Sequence, residues 1–278
     1  MAGRAQALRD ILPEWAKRSG RALQRRLWDW PMVNLGWRPA RTIPLSKVYF
    51  QGDYGYDDET DIKTALEIVY AHSTASLERL ATLWLQVRYL DRYGIKGDLI
   101  ECGVWKGGAA GMMALAHMRS GKPHRKLQLF DSFKGMPEPQ AEFDGSLVLN
   151  YANGTGRLRP IGQLEASVAD CEDLLFQQIG YPEHLVRFHE GWFQDTLPRE
   201  ADSVGGISLL RIAADWYEST VLALQYLYSK VASSGVVVIA DYGTFEGARR
   251  ATDEFLASLS EPIMLHHIDA DGRYWIKP

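Results

Sequence analysis

Two cysteines in 278 residues, Cys102 and Cys171, are too few for the disulfide framework of a small secreted protein. Apolar runs are short as well. None approaches the ~18–20 residues that cross a bilayer, and no apolar core of signal-peptide type stands near the N-terminus. The expectation is a soluble, cytoplasmic protein. Excess positive charge is also missing: 31 Lys and Arg against 35 Asp and Glu leave a net charge of -4, with no general electrostatic reason to bind nucleic acid. The Gly-x-Gly-x-x-Gly turn expected under a dinucleotide pyrophosphate does not occur where it would be needed, which removes the main support for a nicotinamide-dependent oxidoreductase. What is present is ordinary globular composition, 46% hydrophobic and 24% charged, enough for one α/β domain with an N-terminal extension.

The most informative stretch is DLIECGVWKGG, residues 98–108. A short apolar run ends in an acid, passes through a glycine-rich turn and enters an apolar-periodic segment, which reads as strand, turn, helix. Glycines at such a turn let the backbone approach a ligand and leave helix N-terminal amides free to bind it. A carboxylate at the strand end would repel phosphate but answers an ammonium group. S-adenosylmethionine, with its amino-acid tail and sulfonium charge, is the cofactor that fits.

Residues 1–60 form a basic, amphipathic arm followed by an aromatic, glycine-containing loop (49–60), and 61–278 form the main domain. The arm, with Leu8, Ile11, Leu12 and Trp15 at helical spacing, suits a membrane surface or a protein contact. Packing on its own domain or on a partner subunit is the preferred reading, which leaves a homo-oligomer open. Helices are expected at 61–71 and 76–93, the second capped by Ser76 with a Leu77, Leu80, Leu83, Val87, Leu90 stripe. Strands follow near Glu101, at 126–130, 185–188, 207–212 and 236–239, and a closing hairpin at 264–268 and 273–276. Helices are expected at 164–179, 216–231 and 245–259. The polar excursion 138–160 has the length of a substrate lid. Alternation of strands with helices implies a mostly parallel, seven-stranded sheet covered on both faces, with an antiparallel hairpin at its edge: the Rossmann-like class I methyltransferase layout.

Four acids fall at strand ends, where ligands sit in such sheets: Glu101, Asp131, Asp215 and Asp241. Asp131 stands 28 positions beyond Gly103, where a carboxylate accepts both hydroxyls of an adenosine ribose. Asp215 and Asp241, on neighbouring strands, suit a general base or a metal ligand for a hydroxyl acceptor. His189, His266 and His267 are further base candidates, although adjacent strand residues face opposite sides, so His266 and His267 cannot share one pocket.

The segments DLIECGVWKGG, LQLFDSFKGMPEP, EGWFQDTLP, LLRIAADWYEST and VVVIADYGTFEGARRATDEF resemble the macrocin O-methyltransferase family. The resemblance runs in order over about residues 73–278. It implies S-adenosylmethionine-dependent, magnesium-assisted methylation of hydroxyls on sugars of macrolide, aminocoumarin and related natural products. Carried over by position, Glu101, Gly103 and Gly107 form the methionine-end pocket, Asp131 and Ser132 meet the ribose, Ser167, Gly191 and Trp192 lie near the adenine, and Thr74 helps to hold the cofactor. Asp215 is the implied base and Asp241 one magnesium ligand. The family's other two magnesium carboxylates fall on Ala213 and Ala240, which cannot coordinate a cation. Two readings follow: an O-methyltransferase whose metal site is degraded, or a catalytically impaired or repurposed S-adenosylmethionine-binding protein of the same fold.

Overall fold

The computed structural model describes residues 58–278. The expectations for the basic arm and for the aromatic loop as far as Asp57 lie outside the described residues. Helix α1 (Glu59–Val69) starts at Asp58, whose backbone is left-handed (φ 57°) and whose carboxylate accepts from the Trp84 indole at 3.1 Å and from Arg88 at 2.8 Å. That anchored aspartate ends the expected loop before Glu59 rather than after Thr60. One 3-10 turn, Tyr70–His72, leads to α2 (Leu77–Arg92), where the Ser76 hydroxyl accepts from the Arg79 amide at 3.1 Å. All five residues of the expected apolar stripe are buried.

The sheet contains β1 (Asp98–Cys102), β2 (Leu127–Asp131), β3 (Val186–Glu190), β4 (Ile207–Ile212), β5 (Val231–Ile239), β6 (His266–His267) and β7 (Arg273–Ile276). Their spatial order is β3-β2-β1-β4-β5-β7-β6. The first five are parallel, and β7 runs antiparallel to both neighbours. The chain steps outward from β1 to β3, then returns past β1 to β4 and β5. Right-handed crossovers therefore place its helices on opposite faces. These helices are α3 (Gly108–Arg119), α4 (Ala141–Asp144), α5 (Val168–Glu172), α6 (Phe193–Glu200), α7 (Tyr217–Leu227) and α8 (Glu246–Ser258). α2 packs on α3, and α7 on α6 and α8.

Burial on both faces explains the apolar strands: Leu99, Ile100, Cys102, Leu127, Leu129, Phe130, Leu209, Leu210, Val236 and Val237 are all inside. Each polar exception has a partner. Ser208 donates to the carbonyls of Gly97 and Asp98, Gln128 donates to Asp98, and Arg211 pairs with Glu101.

Three expected elements end differently. The 164–179 helix starts only at Val168, because Leu164 is left-handed (φ 53°) and Ser167 forms a reciprocal cap with Asp170, and it continues as a π-helical turn, Asp173–Gln178. The 216–231 helix stops at Leu227, and Val231 opens a nine-residue β5 instead of a short strand at 236–239. The first arm of the hairpin shrinks to His266–His267.

Candidate cofactor and acceptor site

The carboxyl ends of β1, β2, β4 and β5 open onto a cleft. It lies at the switch point, where crossovers leave β1 in opposite directions. Gly103 shapes its floor. Its φ is 88°, and a β-carbon there would lie 1.9 Å from the Ala213 carbonyl oxygen, so only glycine lets the β1 turn and the end of β4 touch. Three residues other than glycine with positive φ line the same cleft, Trp105 (52°), Leu164 (53°) and Asp215 (58°), which is where backbone strain is expected to collect.

Asp131, at the end of β2, fixes the turn. Its Oδ2 accepts from the amides of Val104 (2.6 Å) and Trp105 (2.9 Å), and its Oδ1 from that of Phe133 (2.7 Å). Burial raises its pKa, with those amides working against the rise. Glu101 is 1% exposed; its Oε1 accepts from Arg211 Nη1 at 2.5 Å, while Oε2 is buried with no partner. Burial pushes its carboxyl up to about 7, with Arg211 opposing and the charge of Asp131 adding to the rise. A buried carboxylate oxygen left unpaired beside a glycine turn calls for a cationic ligand.

The other half of the cleft holds Asp215, just after β4, and Asp241, just after β5. Burial holds Asp215 well above the usual carboxylate range, and the neighbouring Asp241 adds to it. Asp241 is raised too, chiefly by burial, while Arg79 and Arg211 lower it. Arg79 Nη1 donates to the Ala240 carbonyl (3.0 Å) and stands 3.8 Å from Asp241 Oδ1, while its Nε is 3.0 Å from Asp269 Oδ2. Asp241 Oδ2 is buried without a partner. A magnesium ion does not suit this donor set. Ala213 and Ala240 offer methyl groups, a guanidinium already faces Asp241, and no three His, Cys, Asp or Glu side chains come together as ligands among the described residues.

The 136–144 segment is tied to the turn after β4. The Trp216 indole donates to the Pro137 carbonyl at 2.9 Å. The buried Asp144 carboxylate accepts from the amides of Tyr217 and Gln140, both at 2.7 Å, and so ties the 138–160 excursion to the start of α7, two residues beyond Asp215.

Of the residues singled out from sequence, Thr74, Glu101, Gly103, Asp131, Ser132, Gly191, Trp192, Asp215 and Asp241 line the cleft together. Gly107 instead begins α3 (φ 82°) and packs on Cys171, and the Ser167 hydroxyl caps α5; neither is in the lining. His189 is no base candidate in this fold. Its Nδ1 meets Glu200 Oε2 at 2.5 Å, its Nε2 meets Gln128 Oε1 at 2.8 Å, and the ring stacks on Phe130. His266 stacks on Tyr274 and His267 is exposed, both outside the lining. Sequence reasoning missed His72, Arg79 and Arg211. For Arg211 the signal was visible: a lone arginine inside the apolar run LLRIAA must have a buried partner.

A sheet of this order, with a glycine turn after β1 and an acid ending β2 around one cleft, defines a class I methyltransferase. The macrocin-O-methyltransferase (TylF) family profile matches residues 56–277, and the chain belongs to that family of O-methyltransferases. It is 34% identical over 210 residues to the 8-demethyl-8-(2,3-dimethoxy-alpha-L-rhamnosyl)-tetracenomycin-C 4'-O-methyltransferase of Streptomyces olivaceus, covering 74% of this chain and 75% of that one. It is 31% identical over 208 residues to the demethyldecarbamoylnovobiocin O-methyltransferase of Streptomyces niveus, with 74% and 75% covered. The solved structure of the O-methyltransferase NovP superposes with a TM-score of 0.69 at 25% identity, covering 80% of this chain and 99% of that one.

Proposed function

We propose that this protein transfers a methyl group from S-adenosylmethionine to a hydroxyl of a sugar on a polyketide-like or related natural product, and does so without a divalent cation. The observation that carries the cofactor assignment is Glu101 Oε2, buried and unpaired at the glycine turn, with Asp131 at the end of the adjacent strand. The acceptor class rests on the relatives, which are O-methyltransferases of a rhamnosyl tetracenomycin and of a novobiocin precursor.

The cofactor supplies an electrophilic methyl carbon when bound. Everything else falls to the chain. Glu101 would hold the ammonium and Asp131 the ribose. Asp215 would take the proton of the acceptor hydroxyl, and a carboxyl whose pKa is raised by burial is the stronger base for that work. Arg79 provides a fixed positive charge beside the acid pair, and the lid held by Asp144 and Trp216 excludes water and orients the acceptor.

Calorimetry with S-adenosylmethionine and S-adenosylhomocysteine tests the first half, and absence of binding at millimolar concentration refutes it. Mass spectrometry of rhamnosylated polyketides and aminocoumarin glycosides incubated with the protein tests the second. Chelator is expected to change the rate by less than about twofold, and a rate abolished by chelator refutes the metal-free reading. The impaired or repurposed alternative draws on Ala213 and Ala240 and predicts cofactor binding with no methylated product.

A further inference from the structure

The turn between β6 and β7 (268–272) closes the sheet, and nothing in the acceptor chemistry uses it. Its backbone packs on the loop after β5. The Gly243 amide donates to the Asp271 carbonyl at 3.0 Å, and a β-carbon on Gly243 would lie 2.0 Å from the Ala270 carbonyl oxygen. The same turn grips the start of α2. Asp269 Oδ1 accepts from the amides of Asp271 (3.0 Å) and Gly272 (2.6 Å), while Oδ2 accepts from the Ser76 hydroxyl at 2.5 Å and pairs with Arg79 Nε at 3.0 Å. Burial raises the Asp269 carboxyl, yet Arg79, Ser76 and the turn amides together hold it below the usual carboxylate range. Asp269 is outside the cleft lining and Arg79 is in it, so the guanidinium is clamped from behind. Its Nη1 donates to the Ala240 carbonyl at 3.0 Å, while Nη2 makes no hydrogen bond and lies 3.6 Å from Asp271 Oδ2. Beside Nη1, Asp241 keeps Oδ2 buried and unpaired. Spare donors next to a spare acceptor suit a hydroxyl, which takes both roles.

We propose that Asp269 is a positioning residue for methyl transfer and that Arg79 is the catalytic cation it positions. The hairpin turn clamps the guanidinium at the end of β5, where it donates to the acceptor oxygen as negative charge develops there. This rests on the O-methyltransferase reading of the cleft, and it names the group that answers the developing charge where Ala213 and Ala240 bind no cation. In the step, the acceptor oxygen forms its bond to the methyl carbon, the C–S electron pair stays on sulfur as a neutral thioether, and the hydroxyl proton passes to Asp215. Arg79 keeps all its protons, as a guanidinium does in proteins. A donor fixed before the reaction needs no reorganisation when the charge appears, which is the use of holding Arg79 from an element outside the cleft.

The test has a kinetic arm and a binding arm, with thermal midpoints as the folding control for every variant. Kinetics use the rhamnosylated polyketide or aminocoumarin glycoside on which the wild-type chain is active. Arg79→Met is expected to lower kcat about 100-fold or more and Asp269→Asn about tenfold, each with the acceptor KM within about threefold. Arg79→Lys and Asp269→Glu, which keep the charges, should recover part of the loss. The binding arm needs no acceptor. Sinefungin carries an amine where the cofactor has its sulfonium methyl, so a guanidinium at the acceptor oxygen repels it. Arg79→Met should tighten sinefungin about fivefold or more and leave S-adenosylhomocysteine within about twofold. If both analogues respond alike to Arg79→Met, or if Asp269→Asn raises KM and leaves kcat unchanged, the assignment is overturned while the methyltransferase reading stands. A wild-type chain that methylates none of these glycosides overturns that reading and this role with it.

Discussion

If Glu101 holds the cofactor's ammonium as proposed, binding is a proton-linked event. Its carboxyl rises from the usual 4.5 to about 7 because it is fully buried, and the Arg211 guanidinium only partly offsets that burial. For an acid raised in the folded state, the folded chain keeps a proton that the unfolded chain has released. Stability is then fully present below about pH 4.5 and falls as pH rises through about 7, by about 3 kcal/mol in total. An ammonium arriving at Oε2 reverses this preference, since only the carboxylate attracts it. Below about pH 7 the ligand must displace the proton, so S-adenosylhomocysteine affinity should rise about tenfold per pH unit up to that point and level off above it. At pH 6 the release should be about 0.9 proton per ligand, measured by calorimetry in two buffers of different ionisation enthalpy. Glu101→Gln should flatten the profile and lower affinity at pH 8 by about 10- to 100-fold. A flat wild-type profile between about pH 5.5 and 8, or a slope that survives in Glu101→Gln, would refute the argument.

Asp131→Ala removes the acceptor for three backbone amides, and denaturant titration should show a loss of about 2–4 kcal/mol together with weaker adenosine binding. Gly103→Ala meets both a φ of 88° and a carbonyl oxygen 1.9 Å from the new β-carbon, so a destabilisation of about 3 kcal/mol or more is expected in a thermal melt. Ala213→Asp with Ala240→Asp should create a cation site beside Asp241: magnesium should raise the melting temperature of the double variant and leave the parent unmoved. An equal response in both proteins would mean that the parent already holds the ion.

The order of elements and the strand ends were legible because both follow from local chemistry. A parallel strand buried on both faces must be apolar, so the acid that breaks the run marks its end, as at Asp131, or comes one residue before it, as at Glu101 in β1. Ser76 was legible as a cap for the same kind of reason. Boundaries failed where tertiary contacts decide. VASSG, residues 231–235, looks like a helix tail, yet the Ser234 amide donates to the Lys277 carbonyl and extends β5. The glycine- and asparagine-rich lid looks open, yet Asp144 meets the Tyr217 amide across 73 residues, a pairing that no local pattern announces. Arg79 was read as an ordinary residue of α2, and only the fold carries it to the ends of β5 and the closing hairpin.

Charge balance links the two halves of the cleft. Glu101, Asp131, Asp215 and Asp241 line it against the guanidiniums of Arg79 and Arg211, four acids to two cations. An enclosed site cannot carry that imbalance ionised, and all four carboxyls are indeed pushed upward. Arg211 is common to both ends: it binds Glu101 and lowers Asp215 and Asp241. The site is therefore completed by a ligand that brings positive charge. On the proposed cofactor assignment, S-adenosylmethionine would bring a sulfonium and an ammonium, two positive charges against its one carboxylate. In the proposed transfer the sulfonium charge leaves the cleft while the acceptor's proton would pass to a strand-end acid, so the interior charge would be the same before and after. In a site with alanine at positions 213 and 240, that conservation is the physical basis of the proposed transfer without a metal.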